Sequence, residues 1–172
     1  MPAGYLPAPL HRAALRLAHG LRKYWWRIAR PTIEGVCILA FNDRGELLLV
    51  RHSYQRKGIW CLPSGGISSN NGVASIPSIM HHATRELAEE AGLATCRSRL
   101  VTTHETCLHG ATNRVHLVEI GTSGDPQPDR REIDEAQFFA LTSLPEPLDP
   151  TTDRMLALWR QGSEDLALAT GK

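Results

Sequence analysis

The chain has 172 residues, 42% of them apolar and 22% charged, which fits one domain with a sizeable core and excludes a disordered chain. Its four cysteines form no C-x-x-C pair, which argues against a zinc site and favours reduced thiols. No apolar stretch is long enough to span a membrane and no secretion signal is recognisable, so we expect a cytoplasmic protein.

The net charge of +1 divides into a basic arm and a mildly acidic body. Residues 1–33 carry six basic side chains and no acid, and residues 10–28 have an amphipathic helical period. We therefore expect a basic amphipathic helix within 1–31 and a main domain over 32–172. The helix packs on its own domain or in a homodimer, which we favour, or docks on an anionic membrane or a nucleic acid.

From Thr32 onward the pattern becomes that of strands. A buried strand is predicted at 35–41, followed by a turn and an antiparallel partner at 46–51. A short strand at 59–62 is expected to lead into a sharp turn at 63–66. After a polar loop, a helix is predicted from Ser78 to Glu90, with Gly92 as its C-terminal cap.

The second half of the chain predicts three more strands and a closing helix. The strands are expected at 97–106, 114–121 and 136–141, with a turn at 109–113, a polar loop at 121–131 and the helix at 150–160. Strands and helices alternate irregularly. This order favours an α/β fold in which a mixed sheet is flanked by helices.

The stretch from Arg85 to Leu93 carries the chemistry. At 3.6 residues per turn, Glu86 and the pair Glu89 and Glu90 share one helical face, where like charges repel. A hard divalent cation would neutralise them, since Mg²⁺ prefers carboxylate oxygens. Arg85 can brace one carboxylate or bind a phosphate. Taken alone, a cluster of this kind is more often an ordinary solvated helix face than a metal site.

The surrounding residues decide between these interpretations, because together they resemble the Nudix box and its flanks. The second half of the box, Arg-Glu-(aliphatic)-x-Glu-Glu-x-Gly-(aliphatic), matches throughout 85–93. Family-like features flank it at 47–51, 60–63 and 132–139, and the resemblance covers roughly 33–145. It implies the family's α/β/α sandwich and a Mg²⁺- or Mn²⁺-dependent hydrolase. The implied substrate is a small molecule with a diphosphate linkage, of the type nucleoside diphosphate linked to X.

The resemblance also implies roles for individual residues. Glu86, Glu89 and Glu90 would ligate the cation with the carbonyl of Gly66, and Arg85 would assist. A helical glutamate, or Glu132 or Glu135 from a later loop, would accept a proton from the attacking water; for these two later acids, surface placement is the favoured alternative. Four further candidates for substrate contact are weighed against surface or core placement: Arg51, His52, Tyr54 and Trp60.

The first half of the box departs from the family pattern. Pro77 stands where the family has glutamate, Asn71 stands where it has glycine, and the loop from Gly66 to Arg85 is five residues too long. No acid occurs between Glu46 and Glu86. Either the segment 67–82 has diverged or its sequence is locally corrupted. A divergent loop would lower activity, and the alternative function is a catalytically weakened nucleotide-binding or sensing module.

Overall fold

A computed structural model describes residues 31–55, 58–67, 74–108 and 111–170. The helix predicted over 10–28 and the turn residues 109–110 lie outside these ranges. Among the described residues, neither helix is both long enough and apolar enough to cross a membrane. The order is β1 (Thr32–Phe41), β2 (Leu47–His52), β3 (Ser64–Ile67), α1 (Ile76–Ala91), β4 (Ala94–Leu108), β5 (Ala111–Ser123), β6 (Ile133–Phe139) and α2 (Pro150–Thr170).

The sheet is mixed, in the order β4-β5-β1-β2-β6, with β3 paired to β1 beside this path. β1 runs parallel to β5, and the other ladders are antiparallel. Alternate side chains of β1 therefore point to opposite faces of the sheet. Val36 and Ile38 pack under α1 with Ala83 and Leu87, whereas Leu39 packs under α2 with Met155. This confirms the predicted sheet between helices.

The prediction of a strand at 59–62 and a sharp turn at 63–66 was wrong. Trp60 and Cys61 form only isolated bridges, and the next strand is β3. Glycine makes this pairing possible, because a Cβ on Gly35 would lie 3.0 Å from the carbonyl oxygen of Gly65. The apolar side chains before Pro63 gave a stronger strand signal than the glycines that actually pair.

The start of α1 also differs from the prediction. The helix begins at Ile76 and its N-cap is Ser75, not Ser78, whose backbone N–H donates to the Ser75 hydroxyl at 3.4 Å. Pro77 lies in the first turn, where a missing N–H removes no helical hydrogen bond. The predicted cap at the other end is confirmed: Gly92 adopts a left-handed φ of 66° and its N–H donates to Ala88.

Candidate active site

Helix α1 presents its glutamates in two directions. Because Ile79, Ala83 and Leu87 bury one stripe of the helix in the core, Glu90 is carried inward with them and Glu86 lies at their edge. The side chain of Glu86 is 15% exposed, whereas that of Glu89 is 57% exposed. The three candidate ligands therefore share a helix but differ strongly in environment.

Glu86 lies directly over the backbone of β3. A Cβ on Gly65 would come within 2.6 Å of its carboxylate oxygen Oε1 and closer still to its side-chain carbons. Only glycine leaves room for that approach. A Cβ on Gly66, the glycine that the sequence singled out, would meet nothing within 4 Å. Sequence reasoning therefore missed Gly65, although the pair Gly65-Gly66 was visible; the carbonyl role of Gly66 stays a prediction.

Glu90 is the buried acid of the site, at 7% exposure. Burial, reinforced by the charges of Glu86, Glu132 and Asp129, raises its pKa to about 8, while a backbone hydrogen bond with Ser64 opposes the shift. Its Oε2 has no hydrogen-bond partner among the described residues. Burial also raises the pKa of Glu86, with Arg85 opposing and the nearby charges of Glu89 and Glu132 reinforcing the increase. The site thus disfavours its own negative charge.

Arg85 compensates part of this charge from the helix surface. Its guanidinium donates to Glu86 Oε1 at 2.5 Å and to Glu89 Oε2 at 2.8 Å. Arg85 therefore bridges two carboxylates, where the sequence predicted that it braces one. Glu90, deeper in the fold, is not part of this bridge.

The segment 124–132 brings a further acid to the helix. Its backbone N–H groups at Gln127 and Asp129 donate to the carbonyls of Ala91 and Glu90 at 2.7 and 3.3 Å. The Asp129 carboxylate accepts from the amides of the three residues that follow Arg130, and so shapes the turn that carries Glu132. Sequence reasoning missed Asp129; an aspartate two residues before a turn amide was the available signal.

The two later acids, Glu132 and Glu135, are separated by the fold. The charge of Glu132 acts on both Glu86 and Glu90, which places it with the helical carboxylates. Glu135 instead accepts from Arg51 at 3.0 Å across the ladder of β2 and β6. The structure therefore brings Glu132, and not Glu135, into the carboxylate group.

Trp60 and Arg51, two of the candidates for substrate contact, make most of their contacts within the fold. Trp60 is 5% exposed and meets Phe139 edge to face at 4.9 Å between ring centroids, which supports the core placement weighed above. The Arg51 guanidinium lies 4.4 Å from the centroid of the Trp60 ring. Glu135 binds the same guanidinium, so Arg51 is held by an acid and an aromatic ring together.

His52 and Tyr54 lie at the end of β2, close to the turn that carries Glu132. The Ser53 amide donates to the carbonyl of Glu132 at 2.8 Å, which ties this strand end to that turn. The rings of His52 and Tyr54 are 5.0 Å apart. Burial lowers the pKa of His52, which keeps its imidazole neutral, and its Nδ1 has no hydrogen-bond partner among the described residues.

The carboxylates fit a hard divalent cation by chemistry, although they do not enclose a preformed site. Oxygen donors with raised pKa values, one of them unpartnered and buried, gain most from an added positive charge. Within the described ranges, no three His, Cys, Asp or Glu side chains are close enough to hold a metal ion. Binding would therefore require a side-chain rearrangement, which the exposed Glu89 and its Arg85 bridge allow.

A cavity of about 630 Å³ lies elsewhere, at the opposite end of β1. Phe41, Arg97, Glu119 and Trp159 contribute to its lining. Phe41 lies five positions along β1 from Val36, the residue that pairs with Gly65, a distance of about 17 Å. The cavity is therefore separate from Glu86 and Glu90, the two acids of α1 whose pKa values are raised by burial.

Comparison with known proteins gives the family. The model of the NUDIX domain matches residues 31–159, and the chain belongs to this family. It is 26% identical over 147 residues to the NAD-capped RNA hydrolase NudC of Edwardsiella ictaluri, covering 83% of this chain and 52% of the relative. The chain thus spans about half the length of the curated relatives it matches.

Two solved structures show the same fold. The MutT NUDIX hydrolase of Burkholderia pseudomallei superposes with a TM-score of 0.59 at 24% identity, covering 74% of this chain and 97% of the other. The NUDIX domain of Shewanella oneidensis NrtR, solved in complex with ADP ribose, superposes with a TM-score of 0.58 at 18% identity, covering 78% and 88%. The family resemblance read from the sequence is confirmed.

Proposed function

We propose that this chain is a Mg²⁺- or Mn²⁺-dependent hydrolase that cleaves the diphosphate linkage of a nucleoside diphosphate linked to a second group. The observation that carries the proposal is the cluster of acids on and beside α1: Glu86 lies over Gly65, and Glu132 acts electrostatically on both Glu86 and Glu90. There, burial and mutual repulsion raise the pKa values of the two helical acids. Such a concentration of unfavourable negative charge is typical of a site whose partner is a cation.

The names of the similar proteins support the substrate class. One relative acts on NAD-capped RNA, and one structural neighbour was solved with ADP ribose. Both ligands contain adenosine joined through a diphosphate to a further group. For the present chain we propose only this shared substrate class, a nucleoside joined through a diphosphate to a further group. We do not assign it either particular ligand.

In this proposal Glu86, Glu89 and Glu90 hold the cation, and the Gly66 carbonyl adds an oxygen donor. When bound, the cation neutralises diphosphate charge, polarises the phosphorus and promotes ionisation of water. Arg85, which now pairs with Glu86 and Glu89, would leave one of these carboxylates free as a ligand and would donate hydrogen bonds to a phosphate group of the substrate. Glu132 accepts a proton from the attacking water, since its charge acts on both Glu86 and Glu90, whereas Glu135 is paired with Arg51.

Substrate contacts outside the diphosphate fall to the end of β2. Tyr54 and His52 form a ring pair beside the turn of Glu132. A neutral imidazole with an unpartnered nitrogen suits a hydrogen bond to a ribose or a base. We assign Arg51 and Trp60 no direct contact with the substrate, because Arg51 binds Glu135 and the Trp60 ring, and Trp60 packs against Phe139.

A second function follows from one departure. Pro77 replaces the first glutamate of the family box and lies inside the first turn of α1, so it supplies no carboxylate. A chain that binds the nucleotide and turns it over slowly would serve as a sensing module. We also infer a cytoplasmic location and assign residues 1–31 to a separate basic helix that packs on the domain or in a homodimer.

A hydrolysis screen tests both functions. The full chain is incubated with nucleoside triphosphates, dinucleotides, ADP ribose, nucleotide sugars and NAD-capped RNA, with Mg²⁺, with Mn²⁺ and with a chelator, and products are resolved by chromatography. Cation-dependent cleavage between the two phosphorus atoms supports the enzyme. Saturable binding of a dinucleotide or nucleotide sugar without cleavage supports the sensing module, and neither binding nor cleavage contradicts both.

A further inference from the structure

Glu34 is a buried carboxylate that the proposed reaction does not use. It lies near the start of β1 on the face that α1 covers, and its side chain is 2% exposed. Its Oε1 accepts from Arg114 on β5 at 2.9 Å, and His116 Nε2 lies 3.8 Å away. Burying a charged acid costs free energy unless the acid is paired, so the carboxylate of Glu34 depends on these partners.

The second oxygen of Glu34 binds the chain just before the glutamate helix. Oε2 accepts from the backbone N–H of Ala74 at 2.8 Å, and Ala74 immediately precedes the N-cap Ser75. The backbone of Glu34 pairs with Ile67, the last residue of β3. One residue of β1 therefore fixes both ends of the segment between Ile67 and Ala74.

This arrangement explains how the carboxylate group is compatible with the long loop. Ile67 and Ala74 both lie in the connection from Gly66 to Arg85, which is five residues longer than the family pattern. A longer connection costs little free energy by itself, but it is a weaker tether between β3 and the start of α1. Glu34 restores the tether through a side chain, so that Glu86 still lies over Gly65.

We propose that Glu34, held in place by Arg114, is a positioning residue for the active site. It fixes the start of α1 against β1 and β3 and so keeps Glu86 and Glu90 in register with Gly65. The kinetic part of this proposal rests on the proposed diphosphate hydrolysis, whereas its structural part does not. In Glu34→Gln a single acceptor oxygen faces two donors, Arg114 and the Ala74 amide, and one of the two contacts is lost.

Glu119→Gln is the matched control. Glu119 lies on β5, is partly buried and likewise accepts from two donors, Arg99 at 2.6 Å and Trp159 Nε1 at 2.8 Å, but it lies by the distant cavity. Both variants and the unmodified full chain are compared by amide hydrogen exchange over residues 74–80. Steady-state kinetics follow, at a series of Mg²⁺ concentrations, on the best substrate of the screen.

Glu34→Gln should speed exchange over 74–80 by at least about tenfold. It should also lower kcat by about tenfold or more and raise the Mg²⁺ concentration at half-saturation. Glu119→Gln should change none of these quantities. Unchanged exchange and kinetics in folded Glu34→Gln would overturn the proposal, as would equal losses in both variants. If Glu34→Gln does not fold, Arg114→Gln is measured in the same way. If the unmodified chain hydrolyses nothing, the proposed function fails, and the exchange data alone decide whether Glu34 anchors the helix.

Discussion

Gly65 and Gly66 are adjacent, yet their side-chain environments differ completely. Gly65→Ala would drive a methyl group into Glu86, whereas Gly66→Ala would extend into open space. Displacing a reacting carboxylate by about 1 Å can cost about a hundredfold in rate. We therefore expect Gly65→Ala to lower kcat by about ten- to a hundredfold and Gly66→Ala to stay within about twofold of the unmodified chain. Steady-state kinetics on both folded variants check this, and equal rates in the two would refute the contact.

Glu90 makes the stability of the fold depend on pH. Its pKa is about 8 in the folded chain against an ordinary value of 4.5, so folding takes up a proton between these values. Without divalent cations, the free energy of unfolding should fall as pH rises from about 4.5 to about 8. Glu90→Gln removes this loss. The free energy of unfolding of Glu90→Gln should exceed that of the unmodified chain by about 2–4 kcal/mol at pH 8, and the two values should be equal near pH 4.5.

Urea denaturation at several pH values, with a chelator present, measures the effect. Glu89→Gln is the control, because Glu89 lies on the same helix with an exposed side chain. The free energy of unfolding of Glu89→Gln should depend on pH in the same way as that of the unmodified chain. The same pH dependence in Glu90→Gln would show that Glu90 is not held in an unfavourable environment.

At the scale of elements, the turn before β6 depends on a single side chain. Asp129 Oδ1 accepts from the amides of Arg131, Glu132 and Ile133 at 2.9–3.0 Å. Asp129→Ala leaves these amides unpaired, at a cost of about 1–3 kcal/mol, and releases Glu132 from the helical acids. We expect turnover to fall by about tenfold or more. Asp129→Asn keeps an accepting oxygen and should therefore retain most of the stability and most of the turnover. Thermal melting and kinetics measure the two quantities. Equal losses in Asp129→Asn and Asp129→Ala would contradict this role of Asp129.

The sequence was sufficient for most elements but not for those that depend on distant partners. Strong periodicity and a terminal glycine located β1, β2 and α1 to within a few residues. β3 was misplaced because Ser64, Gly65 and Gly66 have little strand propensity and pair only because the glycines of β1 and β3 allow close approach. The helix start was misplaced by two residues because Ser75 and Ser78 are equally good caps locally.

The candidate site was predictable where its residues share one helix. The shared helical face of Glu86, Glu89 and Glu90 followed from their spacing, and their role as ligands from the family resemblance, but spacing does not distinguish the buried Glu90 from the exposed Glu89. Long-range contacts were not visible at all. Nothing near residue 34 or residue 129 in the sequence indicates that these acids meet the two ends of α1.

At the scale of the whole molecule, the family domain begins where the basic arm ends. The family match starts at residue 31, and the carboxylate group lies wholly beyond it. Deleting residues 1–30 should therefore lower stability or change the oligomeric state while leaving cation-dependent turnover in place. Size-exclusion chromatography, thermal melting and kinetics test this. Loss of salt-sensitive vesicle or nucleic-acid binding on deletion would instead favour the docking role of this arm.

The central claim is that the carboxylate group on α1 performs cation-dependent diphosphate hydrolysis. The most direct test is the turnover of the best screened substrate by the full chain and by Glu86→Gln, each with Mg²⁺ and with a chelator. Asp153→Asn, which changes an exposed acid in the first turn of α2, is the control. We predict that Glu86→Gln loses about a hundredfold or more, that Asp153→Asn loses nothing, and that the chelator abolishes turnover. Undiminished turnover in folded Glu86→Gln, or turnover indifferent to the chelator, would contradict the claim.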